Sequence, residues 1–172
     1  MWRLGHTLMQ VTPCAVPPDT LLASCQRAGA YTDCYVTEFA RVIALPEYVE
    51  AFYTTPLFKV ERLILRLLVS RPSSDQDAKA LATGNANTFA AWRVEGRGAD
   101  QVLLADISGK TRSWLMVAPA AGGQHTRLHF GSAIIPGRNG QLGWSFRLLL
   151  GFHKLYSRAL LRAARRRLSK AS

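Results

Sequence analysis

The sequence has no aspartate or glutamate after Asp106, although Ile107 to Ser172 carry twelve of its lysines and arginines. All eleven acids lie at or before Asp106, where ten bases nearly balance them. The histidines of the second part therefore have no partner carboxylate nearby in sequence. A near-neutral front is joined to a strongly basic back, and charge of this kind speaks to partners rather than to fold. One face is expected to meet something anionic.

Long apolar runs are missing too. Nothing approaches the ~18 consecutive apolar residues of a membrane span, and the stretch Leu63 to Val69 is cut by Arg66 and bounded by Arg62 and Arg71. Met1 to Gln10 has no apolar block or small-residue cleavage site, so a cytoplasmic location is the expectation. Cysteine is scarce: Cys14, Cys25 and Cys34 are odd in number and show no Cys-x-x-Cys spacing. They read as reduced thiols. Neither they nor His125, His129 and His153 have zinc-ligand spacing, so no metal and no cofactor is expected. With 48% apolar and 19% charged residues, the chain reads as one folded globule.

Prolines 13, 17 and 18 and weak periodicity make residues 1–28 read as a poorly structured segment. Asp19 is the expected N-cap of a short helix within it. The single domain is expected over 29–168, with 169–172 as a tail. Tyr31 to Val42 is rich in Tyr, Thr, Val and Phe and reads as a strand. Pro46, with Glu47 and Glu50 behind it, opens a helix. A second helix spans about Leu57 to Val69, where Val60, Leu63, Ile64, Leu67 and Leu68 form an apolar stripe. Ser74 and Asp77 mark a third. From Thr88 the period changes. Thr88 to Glu95, Gln101 to Asp106, Thr111 to Ala118 and Thr126 to Ile135 are strand-like, separated by glycine-containing turns. After Pro136, Gly137 and Gly140 comes a long helix, roughly Leu142 to Leu168.

This order predicts an α+β fold: a curved antiparallel sheet packed against a long C-terminal helix, with a helical insertion after the first strand. A terminal helix laid across such a sheet is the helix-grip arrangement, which often leaves an apolar cavity between helix and sheet.

Several segments resemble domain of unknown function 2867, a family of mostly bacterial domains. They are Tyr31-Thr-Asp33-Cys34-Tyr35, Glu61-Arg62-Leu63-Ile64-Leu65-Arg66 and, most specifically, the hairpin from Asp106 through Gly109-Lys110-Thr111-Arg112-Ser113-Trp114-Leu115. Phe130-Gly131-Ser132-Ala133 and His153-Lys-Leu-Tyr156-Ser157-Arg158 complete the resemblance. It implies a fold related to the START-like lipid-transfer and polyketide-cyclase proteins, and it brings no assigned catalytic residue.

No nucleophile elbow is present, and Gly109-Lys110-Thr111 lacks the earlier glycine and following helix of a phosphate loop. It reads as a hairpin turn. Alternation on the Thr88 strand sends Trp92 and Val94 inward. On the Thr111 strand Arg112, Trp114 and Met116 share one face and Ser113, Leu115 and Val117 the other, and phase alone does not choose between them. Trp92, Trp114, Met116, Phe130 and Phe152 are candidate walls of a ligand cavity, with solid core as the alternative. His129, His153 and Tyr156 are candidate polar contacts. His153 and Tyr156 are neighbours on one helix face, and an imidazole beside a pocket can do acid–base work of the cyclase or dehydratase kind.

On the terminal helix Arg147, Lys154, Arg158, Arg162 and Arg165 form one stripe opposite Phe146, Leu149, Phe152, Tyr156 and Leu160. The cations are either simply solvated or in contact with an anionic membrane, where each adds ~1 kcal/mol. Arg158, Arg162, Arg165, Arg166 and Arg167 are the contact candidates, which would make the protein peripheral to the membrane. Nucleic acid is disfavoured, because the run lacks interleaved aromatics and no recognised module occurs. The function expected is binding of a small apolar or amphipathic ligand between sheet and helix.

Overall fold

A computed structural model describes residues 10–70, 72–136 and 144–170, with the backbone alone described for 64–69 and 144–153. Residues 1–9, the glycines 137 and 140 and the expected helix start at Leu142 lie outside the described residues.

The chain is α+β. Strand β1 (Thr12–Pro13) is followed by helix α1 (Leu21–Arg27) and strand β2 (Tyr31–Phe39). Helices α2 (Leu45–Tyr53), α3 (Pro56–Val69) and α4 (Asp75–Ala82) form the insertion. Strands β3 (Thr88–Phe89), β4 (Trp92–Arg97), β5 (Gln101–Asp106), β6 (Thr111–Ala120) and β7 (His125–Ile134) then lead to helix α5 (Trp144–Lys170). They build one antiparallel sheet of seven strands in the order β1-β2-β7-β6-β5-β4-β3. A register shift between Val94 and Gly96 adds local twist to the curved, open sheet.

Local chemistry explains most boundaries, including those the sequence pattern misplaces. The N-cap of α1 is Thr20, whose hydroxyl accepts the Ala23 N–H at 3.2 Å. Asp19 instead takes the left-handed turn, at φ 60°. Strand β2 ends at Phe39 because Thr126 captures the chain beyond it. The Thr126 hydroxyl donates to the Arg41 carbonyl at 2.9 Å and accepts the Ile43 N–H at 2.8 Å. Ser74 and Asp77 form a reciprocal capping box at the start of α4. The run from Thr88 is two strands, not one. It reverses at Ala90 and Ala91, with Thr88 opposite Arg93 and Phe89 opposite Trp92. Ala90 has φ 51°, a conformation that glycine or asparagine usually signals.

The sheet is buried on both faces. Toward α2 and α5, Tyr35, Phe39, Leu115, Leu128 and Phe130 pack with Tyr48, Phe52, Tyr53, Leu160 and Leu161. Toward α1, Cys34, Leu103, Trp114, Met116 and Ala133 pack around Leu22. Residues 10–28, expected to be poorly structured, are therefore an ordered layer carrying β1 and α1. The Gln101 side-chain oxygen ties that layer down, accepting the Leu21 N–H at 2.9 Å and the Trp114 indole N–H at 3.0 Å. Gly131 lets α1 approach: a Cβ there would sit 2.4 Å from a Leu22 methyl and 2.9 Å from the Asp33 carbonyl oxygen.

Candidate functional site

A cavity of about 290 Å³ lies between α3, α5 and the inner face of β6 and β7. Its apolar wall is Phe52, Phe58, Trp92, Phe130, Ile134 and Leu160; its polar groups include Glu61, Ser113, Ser132, Tyr156 and Ser157. Most of these polar groups are already partnered. Ser113 shares a 3.1 Å hydrogen bond with the Tyr53 hydroxyl, and Ser132 donates to Asp33 at 2.5 Å. Ser157 differs. It is 0% exposed, and its hydroxyl has no partner among the described residues.

Among the described residues Glu61 is the one acid lining this cavity. It stands three residues after the buried Phe58, on the same inward face of α3. Burial raises its pKa, and the Tyr156 hydroxyl and the nearby Trp92 indole N–H offset only part of that rise. The Tyr156 hydroxyl donates to the carboxyl. The Trp92 N–H bears on the carboxyl too, but its geometry falls short of a full hydrogen bond. Burial first, then the neighbouring Glu61, raises the pKa of Tyr156, so the phenol keeps its proton and serves as donor. A carboxyl that holds its proton to higher pH than a solvated glutamate can either donate a hydrogen bond or exchange a proton with a bound molecule.

The fold brings together Trp92, Phe130 and Tyr156 from the sequence candidates. Trp114, Met116 and His129 do not reach this cavity. Alternation on β6 and β7 points them to the opposite face, against or beside the Leu22 layer. There Trp114 is solid core. His129 is held neutral, with burial and then Arg127 lowering its pKa to about 4. The side chains of Phe152 and His153 lie outside the described residues, as do those of Phe146, Arg147 and Leu149. The partner the fold supplies for Tyr156 is Glu61, which periodicity had placed on no functional face. The expected α3 stripe also turns: Val60 and Leu63 are 55% and 53% exposed, while Phe58 and Glu61 point inward. Ile64, Leu67 and Leu68 lie outside the described side chains. The spacing of Phe58 and Glu61 was the available signal.

The buried stripe of α5 is Ser157, Leu160, Leu161, Ala164 and Leu168. Arg158 and Arg165 follow two of these directly and are drawn against the sheet. Their guanidiniums lie 5.3 Å from the Tyr35 ring centre and 5.9 Å from that of Phe39. They do not belong to an outward patch. Arg162, Arg166 and Arg167 are exposed. With Lys170 they rim a groove of about 510 Å³ between α3 and α5, floored by Pro56, Leu57, Ala159 and Ala163.

No helix among the described residues is long and apolar enough to cross a membrane. No protein-family model matches this sequence, and no curated protein matches it.

Proposed function

We propose that this protein is a helix-grip domain of the START-like kind, akin to domain of unknown function 2867, that binds a small amphipathic ligand between sheet and terminal helix. The apolar body of the ligand lies against Phe52, Phe58 and Phe130. Its polar head meets Glu61, Tyr156 and Ser157. The observation carrying this reading is the fully buried Ser157 hydroxyl, unpartnered among the described residues on the wall of the cavity. A buried polar group without a hydrogen bond costs roughly 1–3 kcal/mol, a cost that a ligand acceptor relieves. The cavity volume stands near the lower end for ligand pockets, roughly 300 Å³, which suits a small molecule. Strand, helical insertion, meander and a terminal helix across the sheet form the arrangement expected of this kind of fold. Native mass spectrometry of gently purified protein should retain an apolar, acceptor-bearing adduct, and Ser157→Leu should lose it. A protein that carries no adduct and takes up no fluorescent apolar probe would sink the reading.

A second reading concerns the outer surface: the α3–α5 face contacts an anionic bilayer. It is favoured by cations and exposed apolar side chains on one surface. Arg162 and Arg166 rim the groove, and Val60, Leu63 and Leu155, which is 65% exposed, stand out from the same two helices. Arg167 and Lys170 also border a second groove with Glu47 and Glu50, which offsets part of their charge. Co-sedimentation should require anionic lipid and weaken with salt. Equal binding to neutral vesicles would remove the basis for it.

A further inference from the structure

Cys14 and Cys34 hold their sulfurs 3.0 Å apart where the N-terminal strand meets the sheet. Backbone register sets this approach. Thr12 stands opposite Val36 and Pro13 opposite Tyr35, so Cys14 falls opposite Cys34, and its N–H donates to the Cys34 carbonyl at 2.9 Å. Residues directly opposite in an antiparallel pair have Cβ atoms about 4.5–5.5 Å apart, and a disulfide draws them to about 3.8 Å. Only a small inward shift is needed. Strand β1 is an edge of two residues, so the shift falls on a short strand held by one neighbour alone. Sequence spacing, which offers no Cys-x-x-Cys, had left all three thiols unpaired.

We propose that Cys14 and Cys34 form a thiol–disulfide site, oxidised by exchange with a low-molecular-weight disulfide and reopened by its thiol. The Cys14 sulfur, as thiolate, attacks one sulfur of the small disulfide and releases the first small thiol. Cys34 then loses its proton and displaces the second small thiol, forming the Cys14–Cys34 bond. The protein gives up two electrons and two protons, and one small disulfide becomes two thiols. The order of attack follows from the site. Cys14 is the more accessible of the two. The hydrogen bond between the sulfurs lowers the Cys14 pKa, whereas that same bond and then burial raise that of Cys34. Cys25 takes no part: its thiol donates to the Leu21 carbonyl of its own helix at 3.7 Å. The new bond closes the segment containing α1, and so clamps the layer that Leu22 and Leu21 dock onto the sheet.

The test uses the full chain carrying Cys25→Ser, equilibrated across ratios of oxidised to reduced glutathione. Oxidation should remove the mass of two hydrogens, and trypsin, cutting after Arg27, should release the Cys14 and Cys34 peptides as one linked species that reductant separates. The thermal midpoint should rise by roughly 5 °C. Cys14→Ser, at an edge position, should fold yet abolish both effects. The proposal is overturned if both thiols stay alkylatable at ratios that oxidise a control dithiol. A glutathione adduct on Cys14 that never resolves onto Cys34 overturns it equally.

Discussion

Tyr156 on α5 donates its phenolic hydrogen to the carboxyl of Glu61 on α3, joining residues 95 positions apart across one end of the cavity. The bond couples the two helices that wall the cavity and fixes its polar end. Because Glu61 is half-buried and partly desolvated, its protonation also links the cavity to the stability of the whole domain.

Glu61 has a folded pKa above the ordinary 4.5. Its contribution is fully present below that value and is lost as pH rises through the folded pKa. Glu61→Gln keeps a hydrogen-bond acceptor for Tyr156 but removes the ionisation. Urea midpoints measured from acid to neutral pH should therefore decline less with rising pH in the variant than in the parent. Parallel profiles would show that Glu61 ionises in the folded protein as it does in water.

His129 works in the opposite direction. Its pKa falls from 6.5 to about 4 in the fold, so its contribution is present above 6.5 and is lost as pH drops toward 4. The loss amounts to at most about 3 kcal/mol. His129→Gln should flatten the acid limb of the stability profile in that window while leaving ligand uptake unchanged, since His129 faces away from the cavity.

Gly131→Ala should destabilise the fold by about 1–3 kcal/mol, because the added carbon meets Leu22 and the Asp33 carbonyl. In a Leu22→Ala background the same change should cost less, a coupling that a double-mutant cycle reads.

Ser157→Ala should leave stability unchanged or raise it by about 1 kcal/mol, since no partner is lost. Ligand retention should weaken in the same protein. Loss of stability without loss of retention would make Ser157 a structural hydroxyl.

The arginines of α5 should separate into two groups. Arg158→Ala and Arg165→Ala should lower the thermal midpoint, because each guanidinium covers an aromatic ring of β2. Arg162→Ala and Arg166→Ala should leave it unchanged and affect only binding to anionic vesicles.

Element type and order were legible because they rest on local chemistry. The Ser74–Asp77 capping box, Pro46 in the first turn of α2 and the Gly109 turn before β6 all follow from neighbours within a few residues. The insertion, the meander and the terminal helix were read from such signals. The hairpin at Ala90 was not, since it carries a turn conformation on residues that give no turn signal.

The candidate site was legible only in part, and the reason is geometric. Period two groups Trp114 with Met116 without stating which face the terminal helix covers. Period 3.6 places Glu61 three residues from Phe58 without stating what lies across from it. Choosing a face required the docking of α1, which claims Trp114 for one layer and leaves Ser113 and Phe130 to the other. The Cys14–Cys34 approach likewise follows from the β1–β2 register, and register is a relation between strands.

The uneven charge itself was a property of the sequence alone: no acid follows Asp106. Tertiary structure then decided which cations face outward. A helix buries one stripe, and the stripe through Ser157, Leu161 and Leu168 turns Arg158 and Arg165 onto aromatic rings while Arg162 and Arg166 stay in solvent. Composition and short-range pattern set the elements and the charge. Which side chains meet depends on packing between distant segments, an interaction that no local period encodes.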